Sequence, residues 1–562
     1  MSIIRFPSLR IRHRVSLLRP NITLWSVAVL AIALLILMPI GVVLSSLFVD
    51  SGEIWQHLVE TVLPTYIFNS LWLMFGVGIG VVIVGVGTAW LVATCQFIGR
   101  GIFEWALLLP LAAPAYLLAY VYTDFLEYYG PVQSGLRALF GWQRITDYWF
   151  PPIRSLPGAI AMLTLVLYPY VYLLTRVAFL EQSKCTLEAS RSLGCNPWQS
   201  FWRVALPLAR PAIAAGMSLA LMETLSDFGT VQYFGVNTFT TGIYRTWFGM
   251  GERIAASQLS SVLLMFIAVL IVMEQWSRRQ SRYYQTSHPN QRPARFQLQG
   301  KRAIAAGIAC ALPVCLGFLL PSVLLLEMAI ANATENFTDN FLIYARNSLL
   351  LAGLTAIVGV VLALVMAYGR RLQPGILMNG AVRTAAIGYA FPGAVIAVGI
   401  LIPIGRLDNA LDAWMQAYFG ISTGLLFSGT IIALIFAYLV RFLAVAFNTT
   451  ESSLIRIKPN LDDAARSLGY SPTRTLLRVH APLMSSGLIT AAILVFVDVM
   501  KELPATLIVR PFNFDTLAVQ VYRLASDERL SEAAAPALAI VVVGILPVIL
   551  MSYRITRSRA NQ

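Results

Sequence analysis

The chain has 562 residues, of which 58% are hydrophobic and only 12% charged, and its mean hydropathy is +0.71. A soluble globular chain carries about 25% charged residues, so this composition excludes a water-soluble domain as the bulk of the molecule. The formal charge of +14 would suit a nucleic-acid binder, but the placement of the basic residues excludes that class as well.

Apolar runs of about 20 residues, long enough to cross a bilayer, predict twelve spans in an all-α membrane protein. They lie near 25–47, 67–96, 103–122, 156–179, 212–234, 259–276, 303–328, 347–368, 379–403, 425–447, 487–509 and 533–553. The first run, Trp25 to Leu47, holds no charge and follows a basic tail. Its apolar core exceeds the roughly 7–15 residues of a cleaved signal segment, so it reads as a retained span. With both termini on the cytoplasmic side, most Lys and Arg fall on cytoplasmic segments and most acids outside, which is the positive-inside bias. The basic residues are topology signals, and no nucleic-acid partner is expected.

Within the second span, Gly76 and Gly80 form a GxxxG pair, which predicts close helix packing. None of Cys95, Cys185, Cys195, Cys310 and Cys315 falls on an outside loop, so no structural disulfide is expected. Residues 277–302 hold seven Lys/Arg and no acid and read as a basic cytoplasmic linker. It separates a first half, 1–276, from a second, 303–562, each with six spans. "NSLWL" at Asn69 and "NSLLL" at Asn347 open matching spans, and Pro114 and Pro392 keep the same offset of 278. An even number of spans makes the halves parallel repeats about an axis along the membrane normal.

The clearest repeat is "EASRSLGCNPWQSFWRVALP" at 188–207 against "DAARSLGYSPTRTLLRVHAP" at 463–482, identical at nine of twenty positions. Both copies lie between the fourth and fifth spans of their half, in loops 181–210 and 448–485. Gly194 and Pro197 should end one short helix, and a second should start at Trp198 and expose Trp198, Phe201 and Trp202. The second copy places Thr473, Leu476 and Leu477 there. Amphipathic helix pairs of this kind suit either a partner's groove or the membrane surface.

The pattern resembles the EAA signature loop of ABC importer permeases: Glu188-Ala189-Ser190, Gly194, Val204 and Leu206-Pro207 in one copy, Asp463-Ala464-Ala465, Gly469, Val479 and Ala481-Pro482 in the other. Ser190, Asp463 and Ala481 depart mildly from it. The resemblance implies a type I importer (MetI-like) transmembrane fold. It also implies coupling helices, here Glu188, Ala189, Gly194, Pro197, Trp198, Phe201, Pro207, Asp463, Ala464, Gly469, Pro472, Leu476 and Pro482, docked on two copies of a cytoplasmic ATPase. The chain has no GxxxxGK[ST] phosphate loop, so it is expected to be no enzyme and to hold no cofactor, with ATP and magnesium bound by the partner subunits. Stretches from Asp227 ("DFGTVQYFG"), Tyr389 ("YAFPGAVIAVGIL") and Phe512 ("FNFDTLAVQVYRL") look like the fused permeases that import ferric iron. A periplasmic ferric-iron-binding protein and a bacterial inner membrane follow as expectations. Fused thiamine permeases share the architecture, and a gradient-driven carrier is the more distant alternative.

Acidic residues inside spans are costly and mark candidate functional positions. Glu223 and Asp227 in the fifth span match Asp498 and Glu502 in the eleventh, each pair spaced i,i+4 on one helix face. Counted along the helix, Glu223 and Asp498 should lie near mid-membrane and Asp227 and Glu502 nearer the outer mouth. They read either as a cation path with hard oxygen ligands suited to Fe(III), or as groups that cap helices or pair with Lys501. His13, His57, His288 and His480 fall outside the expected spans, so no His-lined metal channel is expected. No metal ligand is assigned among these residues.

Overall fold

A computed structural model describes residues 23–50, 52–181, 190, 192–194, 196–279, 296–332 and 339–560. Ten of the described helices are long and apolar enough to cross a membrane: Leu24–Phe48, Leu63–Thr94, Leu156–Leu180, Trp198–Ser226, Arg253–Trp276, Lys301–Ala331, Asn340–Leu372, Gly393–Phe419, Ile431–Ile455 and Leu530–Ile549. Two bent pairs, Arg100–Ala112 with Ala115–Phe140 and Pro472–Leu483 with Ser485–Met500, bring the number to as many as twelve.

Four expected spans are corrected, among them the eleventh, 487–509, which ends at Met500 and meets Pro472–Leu483 at an 80° bend. The third, 103–122, is broken by an 89° bend, because Pro114 is extended at ψ 149° and caps the helix after it. Pro392 does the same at ψ 140°, so the ninth span is Gly393–Phe419 and not 379–403. The proline ring bars the residue before it from helical geometry, which ends one helix and starts another. The fifth span begins earlier than 212 and ends at Ser226, where Asp227 turns extended.

The halves interlock. The first span packs on the second half: the backbone at Pro39 lies where a side chain on Gly399 would stand, and Ser26 Oγ donates to Gln373 Oε1 at 2.5 Å. The seventh reciprocates, with Tyr122 Oη donating to the Leu316 carbonyl at 2.6 Å. Gly76 and Gly80 face Ile160 and Thr164 of the fourth span at distances too short for any side chain. The two "NSL" asparagines tie equivalent chain segments: Asn69 donates to the Asn237 carbonyl at 2.9 Å and Asn347 to the Asp515 carbonyl at 3.1 Å. Each anchors the first turns of its span to the segment that follows the fifth span of its half. Linker residues 280–295 lie outside the described residues; just after them, Phe296–Gln297 pairs in parallel with Cys95–Gln96.

Coupling segments and a charged cavity between the halves

The two repeated segments fold alike, where both are described, as far as Pro207 and Pro482; beyond that the first runs on as one helix and the second bends by 80° at Met484. Gly194 has φ +82° and Gly469 φ +76°, and neither would bring a Cβ within 4 Å of a neighbour. The left-handed backbone, not lack of space, is what calls for glycine at these helix ends. A short helix follows, Pro197–Ser200 in one copy and Pro472–Thr475 in the other. Each then widens into a π-helical turn, Phe201–Ala205 and Leu476–His480. Pro207 and Pro482 lie just beyond and cannot donate to the carbonyl four residues back, which favours the wider turn. The segment starting at Trp198 is therefore not a separate helix but runs unbroken into the fifth span, Trp198–Ser226. Glu188 and Ala189 lie outside the described residues; Asp463 and Ala464 sit on the helix Asn460–Ser467, Asp463 beside Arg466 at 3.7 Å.

Trp198 and Trp202 are exposed as expected, but Phe201 is buried, its ring 5.0 Å from that of Trp90. Leu476 is buried at the equivalent place while Leu477 is exposed. Local periodicity identified the apolar turn, but the span behind it claims one of its three side chains. The second copy has a further tie. Asp462 accepts from Arg371 at 2.6 and 2.8 Å and lies 2.6 Å from Nε2 of the fully buried His480. Arg371 also donates to the Leu454 and Ile457 carbonyls, closing the loop onto the eighth span. In the first copy the chain positions matching Asp462 and His480 are Leu187 and Ala205, so this Asp–His pair has no sequence equivalent there.

All four carboxylates singled out from the sequence line one cavity of about 120 Å3 between the halves, together with Tyr116, Tyr170, Tyr389, Arg441 and Lys501. Asp227 and Glu502 are not a separate outer ring, because their helices end at Ser226 and Met500 and the chain turns back into the protein. Each then accepts from the first turn of a short helix: Asp227 from the Val231 amide at 3.1 Å, Glu502 from the Ala505 amide at 3.2 Å. Carboxylates at helix N-termini satisfy amides that have no partner within the helix.

Arg441, in the tenth span, is the functional residue that sequence reasoning missed; its signal was a lone charge in the apolar run "AYLVRFLAV". Its guanidinium donates to both oxygens of Glu502 at 2.9 Å and stands 3.5 Å from Glu223 of the first half. Lys501 pairs with Asp498 at 2.9 Å. Asp227 and Glu502 thus cap helices and Asp498 pairs with Lys501, while Glu223 does neither and has Arg441 as its neighbour at 3.5 Å. Among the described residues, no group of three or more His, Cys, Asp or Glu converges tightly enough to hold a metal ion. Gly393, straight after Pro392, makes the ion pair possible: a Cβ there would stand 2.4 Å from Glu502 Oε1 and 2.9 Å from an Arg441 nitrogen.

A second cavity, of about 470 Å3, lies towards the coupling-segment ends of the same helices, between Ser218, Glu274 and Asn448. Tyr389 lines both cavities, and its hydroxyl approaches that of Tyr170 from the other half to 3.4 Å. A vestibule, a tyrosine pair and a charged chamber are thus stacked along the interface of the halves.

A duplicated helical bundle with two coupling segments and a polar chamber between its halves defines the membrane subunit of a transporter. The chain belongs to the family described as the binding-protein-dependent transport system inner membrane component, matched over residues 12–282 and 359–559. It is similar to an Fe(3+)-transport system permease protein, FbpB 2, of Haemophilus influenzae, 26% identical over 86% of this chain and 88% of that one. A ferric transport system permease protein, FbpB, of Actinobacillus pleuropneumoniae is 24% identical over 95% of this chain and 79% of its own length. The molybdenum transport system permease protein ModB of Escherichia coli matches 40% of the chain at 27% identity, covering 94% of ModB. The protein is therefore a multi-pass inner-membrane permease subunit of an ABC importer with the MetI-like fold. It is not itself an enzyme, and ATPase and periplasmic binding-protein subunits are the partners general to its family.

Proposed function

We propose that the chain forms the translocation path for ferric iron, received from a periplasmic binding protein and driven by two copies of a cytoplasmic ATPase. The carrying observation is the chamber lined by Glu223, Asp227, Asp498 and Glu502. Its oxygen donors suit a hard cation, and its volume is below the roughly 300–1,000 Å3 of sites for larger organic ligands. The long relatives named for ferric transport support the same cargo. The halves 1–276 and 303–562, joined by the linker 277–302, keep both termini cytoplasmic in this reading. One ATPase copy docks on the segment around Gly194, Pro197 and Trp198 and the other on that around Asp463, Gly469 and Pro472. ATP and magnesium belong to those subunits. Neutralising Glu223 and Asp498 should stop cargo passage without touching the docking segments. The test of cargo is uptake by the reconstituted complex, with labelled ferric iron competed against labelled thiamine, each with its own binding protein. Thiamine uptake without iron uptake would reject the assignment.

A further inference from the structure

The two bases of the chamber are placed differently. Lys501 lies three residues from Asp498 at the end of one helix, a local pair that moves as a unit. Arg441 comes from another helix and spans the interface, holding Glu502 of its own half with two bonds while standing 3.5 Å from Glu223 of the other. Any change in the separation of the halves must alter the Glu223 contact and can leave the Glu502 contact in place.

Four carboxylates against two bases leave the chamber two negative charges in excess, in a setting where an unbalanced charge is costly. The chamber also holds unused donors. Arg441 is 5% exposed and its Nε has no hydrogen-bond partner among the described residues. Tyr116, 4% exposed on the same wall, likewise has a hydroxyl without a partner there. The guanidinium is hydrogen-bonded on the Glu502 side only and has space beside it equal to a few water molecules.

We propose that Arg441 is an exchangeable counter-ion: it covers Glu223 and Glu502 between transport cycles and yields them to a multivalent cation, so that it sets the charge selectivity of the path. This rests on the ferric-iron reading for the identity of the cation, but not for the gating itself. A monovalent cation that displaced the guanidinium would give up charge-assisted hydrogen bonds to both oxygens of Glu502 and gain no charge in return. A trivalent or divalent cation adds charge and engages both carboxylates at once. The tethered guanidinium therefore bars small monovalent ions from a chamber whose acids would otherwise attract them.

The test uses the whole complex of permease, ATPase and binding protein in proteoliposomes. Arg441→Gln should raise passive potassium and manganese(II) flux by about tenfold, the size expected from one lost charge-assisted contact. Arg441→Lys, which keeps the charge but not the second nitrogen that reaches Glu223, should leak several-fold less than Arg441→Gln. In Arg441→Gln/Glu502→Gln one charge of each sign is removed and the chamber returns to its original excess, so the counter-ion role predicts a leak well below that of Arg441→Gln, whereas a purely structural brace, still broken, predicts that the leak persists. A tight Arg441→Gln complex with normal iron uptake would overturn the proposal. If Arg441→Gln does not assemble, a tight Arg441→Met complex with normal iron uptake overturns it in the same way. Leak in the variants with no iron uptake by the unaltered complex would reject the cargo and leave the gate standing.

Discussion

Arg441 donates to both carboxylate oxygens of Glu502, at 2.9 Å each, in the space that the missing side chain of Gly393 leaves open. The arrangement links a helix break to an ion pair. Pro392 ends one helix, Gly393 starts the next, and the gap between them admits the charged pair into an apolar bundle. Gly393→Ala should push the pair apart and lower the thermal stability of the purified protein by an amount equivalent to about 1–3 kcal/mol, with loss of uptake. Unchanged melting and unchanged uptake would show that the pair tolerates the methyl group.

Replacing Gly194 or Gly469 with Val should uncouple ATP hydrolysis from uptake. Both glycines hold a left-handed backbone with open space around them, so the penalty is about 1–2 kcal/mol of backbone strain and not a clash. Asn tolerates this backbone better than Val, so Gly469→Asn should retain more coupled uptake. Equal behaviour of the two replacements would assign the effect to size.

The two coupling segments should fail differently. Phe201→Ala removes a ring packed against Trp90, at a cost of about 3–5 kcal/mol, and should destabilise the first half in any buffer. Asp462→Asn loosens Arg371 and His480 from the second segment, and the contacts are only partly buried. Its effect should be nearer 1–3 kcal/mol, the range for hydrogen bonds to charged groups. It should appear as ATPase activity with reduced uptake, read from the ratio of hydrolysis to transport.

Neutralising Glu223 and Asp498 together, as Gln and Asn, should reduce uptake at least tenfold while ATPase co-purification is retained, since both side chains line the chamber and neither belongs to a coupling segment. Undiminished uptake by this double variant would remove the chamber from the path.

Much of this architecture was legible from composition and repetition. Apolar runs marked the spans because a bilayer imposes their length, and the repeat around Gly194 and Gly469 marked the coupling segments because their geometry needs glycine and proline at fixed spacing. The acids at 223, 227, 498 and 502 were legible because charge is rare in such runs. Their arrangement was not: counting along an unbroken helix put Asp227 and Glu502 nearer the mouth, whereas both helices end just before these acids and turn inward. Arg441 stood in plain view within an apolar run, but its partners are 61 residues or more away and only tertiary packing reveals them. Phe201 was misplaced for the same reason, since local amphipathic pattern carries no trace of Trp90 behind it.

The most direct measurement is ATP-dependent uptake of ferric iron into proteoliposomes holding the permease, its ATPase and the binding protein. Uptake should stop when either the ATPase or ATP is omitted and fall when Gly194 or Gly469 is replaced by Val. Iron uptake that persists without the ATPase, driven by an ion gradient alone, would contradict ATP-driven import.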